Sequence, residues 1–166
     1  MSRRIRELAW SDYAAVLAIN NAAVPAMNAL DAAALAWLVT NASYARVSES
    51  AGTVHAFLIG LPPGTGYQSV NYQWFSERYA DFLYVDRIAV ADGARRMGHG
   101  SALYDDLATF AADKWPRIVA EVNLDPPNPG SVAFHERHSF IGVGELPHAY
   151  EGAHAKRVML MERPFR

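Results

Sequence analysis

Apolar residues recur along this chain in two rhythms, and the change from one to the other marks the elements. Short β-branched or alternating runs predict strands at Arg4–Leu8, Tyr44–Glu49, Val54–Leu61, Phe82–Val90, Ile118–Asn123, Ile141–Leu146 and Arg157–Met161. Spacings of three and four predict helices between them. One runs from Ser11 or Asp12 to about Asn20, with Val16, Leu17 and Ile19 apolar. A second, alanine-rich, runs from Asp31 to about Val39 and buries Leu35 and Leu38. A third runs from about Gly98 to Trp115 and places Leu103, Leu107, Phe110 and Ala111 on one face. A short fourth ends near His138; Asn128 is its natural cap, and Pro129 suits its first position. Ser50-Ala51-Gly52 reads as a hairpin turn. Leu61–Asp81 opens on Pro62-Pro63-Gly64-Thr65-Gly66 and is expected to be a long irregular segment, dense in aromatics. The resulting order is β-α-α-β-β-β-α-β-α-β-β.

Composition narrows the classes. A chain of 166 residues, 51% apolar, fits a single domain over 1–166 with a substantial core. The net charge of −2 gives no reason to expect nucleic acid. With no cysteine, disulfides, thiol nucleophiles and thiolate-bound zinc are excluded. The six histidines lack a metal-binding spacing, His135-x-x-His138 included, so no metal is expected. No apolar run is long enough to span a bilayer. Basic Met-Ser-Arg-Arg leads into Glu7 and Trp10-Ser11-Asp12, not an apolar signal core, so the chain reads as cytoplasmic.

The most informative stretch is Val85 to Leu103, a strand, a tight loop and the start of a helix. Unpaired amides and the positive dipole end at a helix start favour a phosphate. Gly98 and Gly100 let the backbone approach a ligand, and Arg95 and Arg96 can add charged donors. The Gly-Lys-Ser/Thr ending of a Walker loop is missing. A dinucleotide fingerprint needs three glycines early in the chain. The stretch instead resembles the acyl-CoA loop of the GNAT N-acetyltransferase superfamily, Gln/Arg-x-x-Gly-x-Gly/Ala, matched by Arg95, Gly98 and Gly100. Asn128-x-x-Ser131-x-x-Phe134-His135-x-x-x-Ser139-Phe140 resembles that family's second motif, with His135 replacing the usual tyrosine and Ser139 the usual glycine. Ser69-x-Asn71-Tyr72-x-Trp74-Phe75 ahead of Tyr84–Ile88 resembles a bacterial GNAT subgroup of predicted acetyltransferases.

The resemblance implies the α/β GNAT fold: a mixed, mostly antiparallel sheet of about seven strands, flanked by about four helices and splayed between the fourth and fifth strands. It implies acetyl-CoA as co-substrate and direct transfer, in a ternary complex, to a primary amine of a small molecule or peptide. The thioester would bond a backbone N–H among Ile88, Ala89 and Val90. The diphosphate would lie on Arg96, Met97, Gly98, His99, Gly100 and Ser101. Asn128, Ser131 and Phe134 would face the coenzyme. Asp86, on one strand face with Tyr84, Ile88 and Val90, is the first candidate to take the amine proton; its alternative is an ion pair with an arginine. His135 is the candidate to protonate the thiolate, or else an exposed helix histidine, with Tyr84 and Tyr104 as substitutes. Tyr72 and Trp74 could enclose the amine by cation–π contact, while Phe75 reads as core. Asn20, Asn21 and Asn71 could add polar contacts. Glu121 and Asn123 alternate on the fifth strand, with Asn123 the better placed. A homodimer is compatible with the family. The competing reading is an idle acyl-CoA-binding module.

Overall fold

A computed structural model describes residues 2–147 and 157–165. All seven expected strands are present: β1 (Arg4–Glu7), β2 (Tyr44–Ser50), β3 (Thr53–Leu61), β4 (Leu83–Val90), β5 (Arg117–Asp125), β6 (Ile141–Leu146) and β7 (Arg157–Pro164). They form one mixed sheet in the order β1-β2-β3-β4-β5-β7-β6. β4 and β5 run parallel. The pairs β1–β2, β2–β3, β5–β7 and β6–β7 are antiparallel. The helices are α1 (Tyr13–Ala22), α2 (Ala32–Asn41), α3 (Val70–Arg78), α4 (His99–Ala111) and α5 (Pro129–Arg137). Among the described residues no helix is long and apolar enough to cross a membrane.

The chain divides into two compact units, Met1–Leu61 with Asp86–Thr109, and Pro62–Val85 with Phe110–Arg166. In the first, α1 and α2 pack on β3 over Val16, Leu35, Leu38, Phe57 and Ile59. Asp31 caps α2 as its side chain predicts, accepting from Ala34 N at 2.8 Å. Asp12 precedes α1, but its carboxylate is used differently. It accepts from the Arg6 guanidinium at 2.7 and 2.9 Å and from Ala9 N at 2.8 Å. The Arg6 hydrogen bonds hold its carboxyl below the usual carboxylate range. The β2–β3 turn puts Ala51 and Gly52 at φ 51° and 76°. This double left-handed geometry matches the twist of the strands it joins. α4 buries Leu103 and Leu107. Its Asp106 accepts from Tyr44 and Arg46 of β2 at 2.7 and 2.6 Å.

In the second unit β5 pairs β7 along its length, and β6 adds to β7. β4 and β5 pair in parallel at Leu83 with Ile118 and Tyr84 with Val119. The segment expected to be irregular contains α3, which brings the α-helices among the described residues to five. Ser69 caps it by accepting from Tyr72 N at 3.4 Å. Tyr72 and Phe75, three apart, bury one face. Their rings pack edge-on or tilted against Phe82 and Tyr84. No glycine or proline interrupts the chain between Gly66 and Gly93.

Candidate active site

The expected strand–loop–helix is built as the sequence suggests. β4 ends where Ala91 N donates to His55 O at 2.8 Å, and a short 3-10 turn follows at Asp92–Ala94. Arg96 and Gly98 then take left-handed φ angles of 63° and 84°. The α4 ladder starts with Ala102 N donating to Gly98 O at 3.0 Å. The amides of His99, Gly100 and Ser101 therefore precede the ladder at the positive end of the helix dipole, a geometry that fits a diphosphate. The Arg95 guanidinium lies 3.0 Å from Asp92 in an exposed pair, a contact weak enough to be exchanged for a phosphate. The Met97 side chain is exposed.

Gly98 answers a second demand that the sequence does not reveal. The Arg3 guanidinium donates to the Met97 carbonyl. A Cβ on Gly98 would lie 2.7 Å from Arg3 Nη2. The start of the chain thus braces the loop from the side of β1. His99 is buried under α4, its Nδ1 2.8 Å from Ser48 Oγ. Burial keeps its pKa below the ordinary histidine value.

Asp86 sits in the ion pair that competes with its base role. Arg87 Nε donates to Asp86 Oδ2 at 2.7 Å, with side chains 9% and 4% exposed. Arg87 also donates to Asn20 Oδ1 at 3.0 Å, and Asn20 donates to Asn21 and to the Asn28 carbonyl. Asn21 exchanges two hydrogen bonds of 2.9 Å with the Leu30 backbone. Asn21 thereby fastens the α1–α2 connection. Ile88 and Val90 are half-buried on β4 and Ala89 is buried.

In the second unit the phenol of Tyr84 donates to the Glu121 carboxylate, at 2.9 and 2.8 Å from its two oxygens. Tyr84 is fully buried and pairs with Val119 of β5. Glu121 and Asn123 are half-buried on β5, two residues apart and so on one face. Tyr72 is buried, and its hydroxyl donates to the Pro62 carbonyl at 2.6 Å and accepts from Thr65. It staples the Pro62–Thr65 turn to α3. Trp74 carries the Arg78 guanidinium 3.8 Å from its ring centroid. A Cβ on Gly144 would lie 2.6 Å from the same ring. Asn71 is buried, and its Oδ1 has no hydrogen-bond partner among the described residues.

The Acetyltransferase (GNAT) family matches residues 4–140. The chain belongs to the GNAT acetyltransferase family. No curated protein matches the sequence. Solved structures that it resembles include Ard1 from Thermoplasma volcanium, at 22% identity and a TM-score of 0.81 over 99% of this chain and 98% of that one. Naa50 from Arabidopsis thaliana, in complex with the bisubstrate analogue CoA-Ac-MVNAL, is 12% identical, with a TM-score of 0.77 over 99% and 100%. yncA from Salmonella typhimurium, with its cofactor acetyl-CoA, is 19% identical, with a TM-score of 0.76 over 100% and 95%. At these identities the likeness is one of fold.

In this GNAT chain the second motif falls on α5. Asn128 caps it, accepting from Ser131 N at 3.3 Å. Phe134 is half-buried. His135, expected either to donate a proton or to stand exposed, is buried. Its Nδ1 lies 2.8 Å from the Ser131 carbonyl, so Nδ1 carries the hydrogen. Its ring packs against Phe134 and Phe140. Burial pushes its pKa below the usual 6.5, and the ring is neutral in the fold. The unfolded chain gains a proton below pH ~6.5 that the folded chain resists. Stability is therefore intact above that pH and falls below it, by up to about 1.4 kcal/mol per pH unit. Thermal melts from pH 8 to 5 should show this slope, flattened in His135→Phe.

Ser139, where the family has glycine, sits at φ 70°. Its side chain crowds the backbone in that left-handed conformation. Ser139→Gly should raise stability by about 1 kcal/mol in a urea titration.

Proposed function

We propose that this protein is an N-acetyltransferase that moves an acetyl group from acetyl-CoA to a primary amine, of a small molecule or a peptide, by direct attack in a ternary complex. The observation that carries this is the left-handed Arg96–Gly98 loop running into the unlaced first turn of α4. Main-chain donors from Arg96 to Ser101 would hold the diphosphate, with Arg95 and Arg96 adding charge. An amide of Ile88–Val90 would receive the carbonyl oxygen as it gains charge. When bound, acetyl-CoA supplies the acyl group as a thioester that an amine can attack.

For the proton, Tyr84 and Glu121 are the better-supported pair. Glu121 is a half-buried carboxylate, and both of its oxygens lie within hydrogen-bond distance of the Tyr84 phenol. The amine proton would pass to this carboxylate, directly or through water, Tyr84 would hold the carboxylate in place, and the departing CoA thiolate would take its proton from water. Asp86, bound to Arg87, would position β4 and the α1–α2 connection. His135, neutral with Nδ1–H on a carbonyl, would serve α5 packing.

CoA release measured across a panel of small amines and peptide N-termini tests the reading. Turnover with one acceptor class is expected. Thermal stabilisation by acetyl-CoA without turnover on any acceptor would favour the acyl-CoA-binding module instead. The peptide arm belongs in the panel because the fold neighbour Naa50 was captured with a peptide-bearing analogue.

A further inference from the structure

A cleft of about 400 Å³ opens within the first unit, beside the β2–β3 turn and the start of α4. Arg3, Ser50, Thr53, His55, Met97 and His99 line it. Its titratable lining groups, Arg3, His55 and His99, are all basic. The two imidazole centroids lie 4.8 Å apart. Ser48 fixes the His99 ring through Nδ1, and Nε2 has no hydrogen-bond partner among the described residues. The ring nitrogens of His55 have none there either. Arg3 donates to the Met97 carbonyl, and a guanidinium has further N–H groups to offer. Glu49, the nearby carboxylate on β2, lies 2.9 Å from Arg6.

This arrangement disfavours a cation. A metal would meet two imidazoles, a guanidinium and no carboxylate, and no group of three metal-binding side chains occurs among the described residues. An anion would accept from the open ring nitrogens and pair with the charge of the Arg3 guanidinium. We propose that the cleft binds a phosphoryl group, free or carried on a larger metabolite, through the guanidinium of Arg3 and the imidazoles of His55 and His99. Charge-assisted hydrogen bonds from planar donors suit its oxygens. The cleft shares Met97 and His99 with the loop whose main-chain donors would hold the diphosphate, but it uses the His99 ring and not those donors, so its test is separate from that of the acyl-transfer reading.

Histidine-ring NMR on the full chain tests it, titrating inorganic phosphate and then a nucleoside 5′-monophosphate against sodium chloride at matched ionic strength. The His55 and His99 signals should move together to a saturating endpoint. His55→Gln and Arg3→Gln should each weaken the apparent Kd roughly ten-fold. Equal affinity for the two phosphates would identify the free anion as the ligand, and tighter binding of the monophosphate a carried one. Added CoA should leave the shifted signals in place. Shifts no larger than those with chloride would overturn the proposal, as would displacement of phosphate by one equivalent of CoA. A protein that binds phosphate here but fails to transfer acetyl groups would leave this site standing and remove only the activity.

Discussion

Glu121→Gln should lower kcat by roughly 10²- to 10⁴-fold with the best acceptor of the panel. Its Kd for acetyl-CoA should stay within about two-fold, because coenzyme contacts are expected from main-chain donors of the loop. Glutamine keeps an oxygen that accepts from the Tyr84 phenol, so the β4–β5 pairing at Tyr84 and Val119 should survive the change. What it loses is the capacity to take a proton. Asp86→Asn is the instructive contrast. Its carboxylate partners a guanidinium 9% exposed, so Asp86→Asn takes the Asp86 charge away from a buried cation. That should cost about 3–5 kcal/mol of stability, read by urea denaturation. If instead Asp86→Asn abolishes turnover at unchanged stability while Glu121→Gln stays active, the proton belongs to Asp86.

The second large effect is expected at Gly98. Gly98→Val forces a β-branched residue into φ 84° and drives its Cβ against Arg3. Strain of about 1–3 kcal/mol falls on the loop itself. Acetyl-CoA affinity should drop roughly 10- to 100-fold by calorimetry, as that strain distorts the donor array. Arg3→Gln, which removes the brace but leaves φ unchanged, should weaken affinity less. Equal affinity in Gly98→Val would remove the loop from coenzyme binding.

Much of the scaffold was legible because its cues are local. Alternation marked all seven strands, and Asp31 and Asn128 announced the starts of α2 and α5 through a side chain that reaches only three residues. α3 was not legible. Its buried Tyr72 and Phe75 are set among polar neighbours, and a turn cluster precedes them. The Ser69 cap and the uninterrupted run to Gly93 were the available signals. Nor could alternation rank Glu121 against Asn123, since both lie on one face of β5. The deciding contact comes from Tyr84, on another strand. Asp86 and Arg87 are adjacent on a strand and should point apart, yet the long guanidinium folds back onto its neighbour. Tyr72 read as a pocket aromatic, because nothing in sequence ties its hydroxyl to the Pro62 carbonyl. Arg3 and Gly98 are nearly a hundred residues apart, and no local pattern connects them.

A crystal structure grown with acetyl-CoA tests the central claim most directly. The expected result is diphosphate oxygens within hydrogen-bond distance of main-chain N–H groups from Arg96 to Ser101, with the thioester against Ile88–Val90. Coenzyme bound elsewhere, with those N–H groups facing other partners, would contradict it.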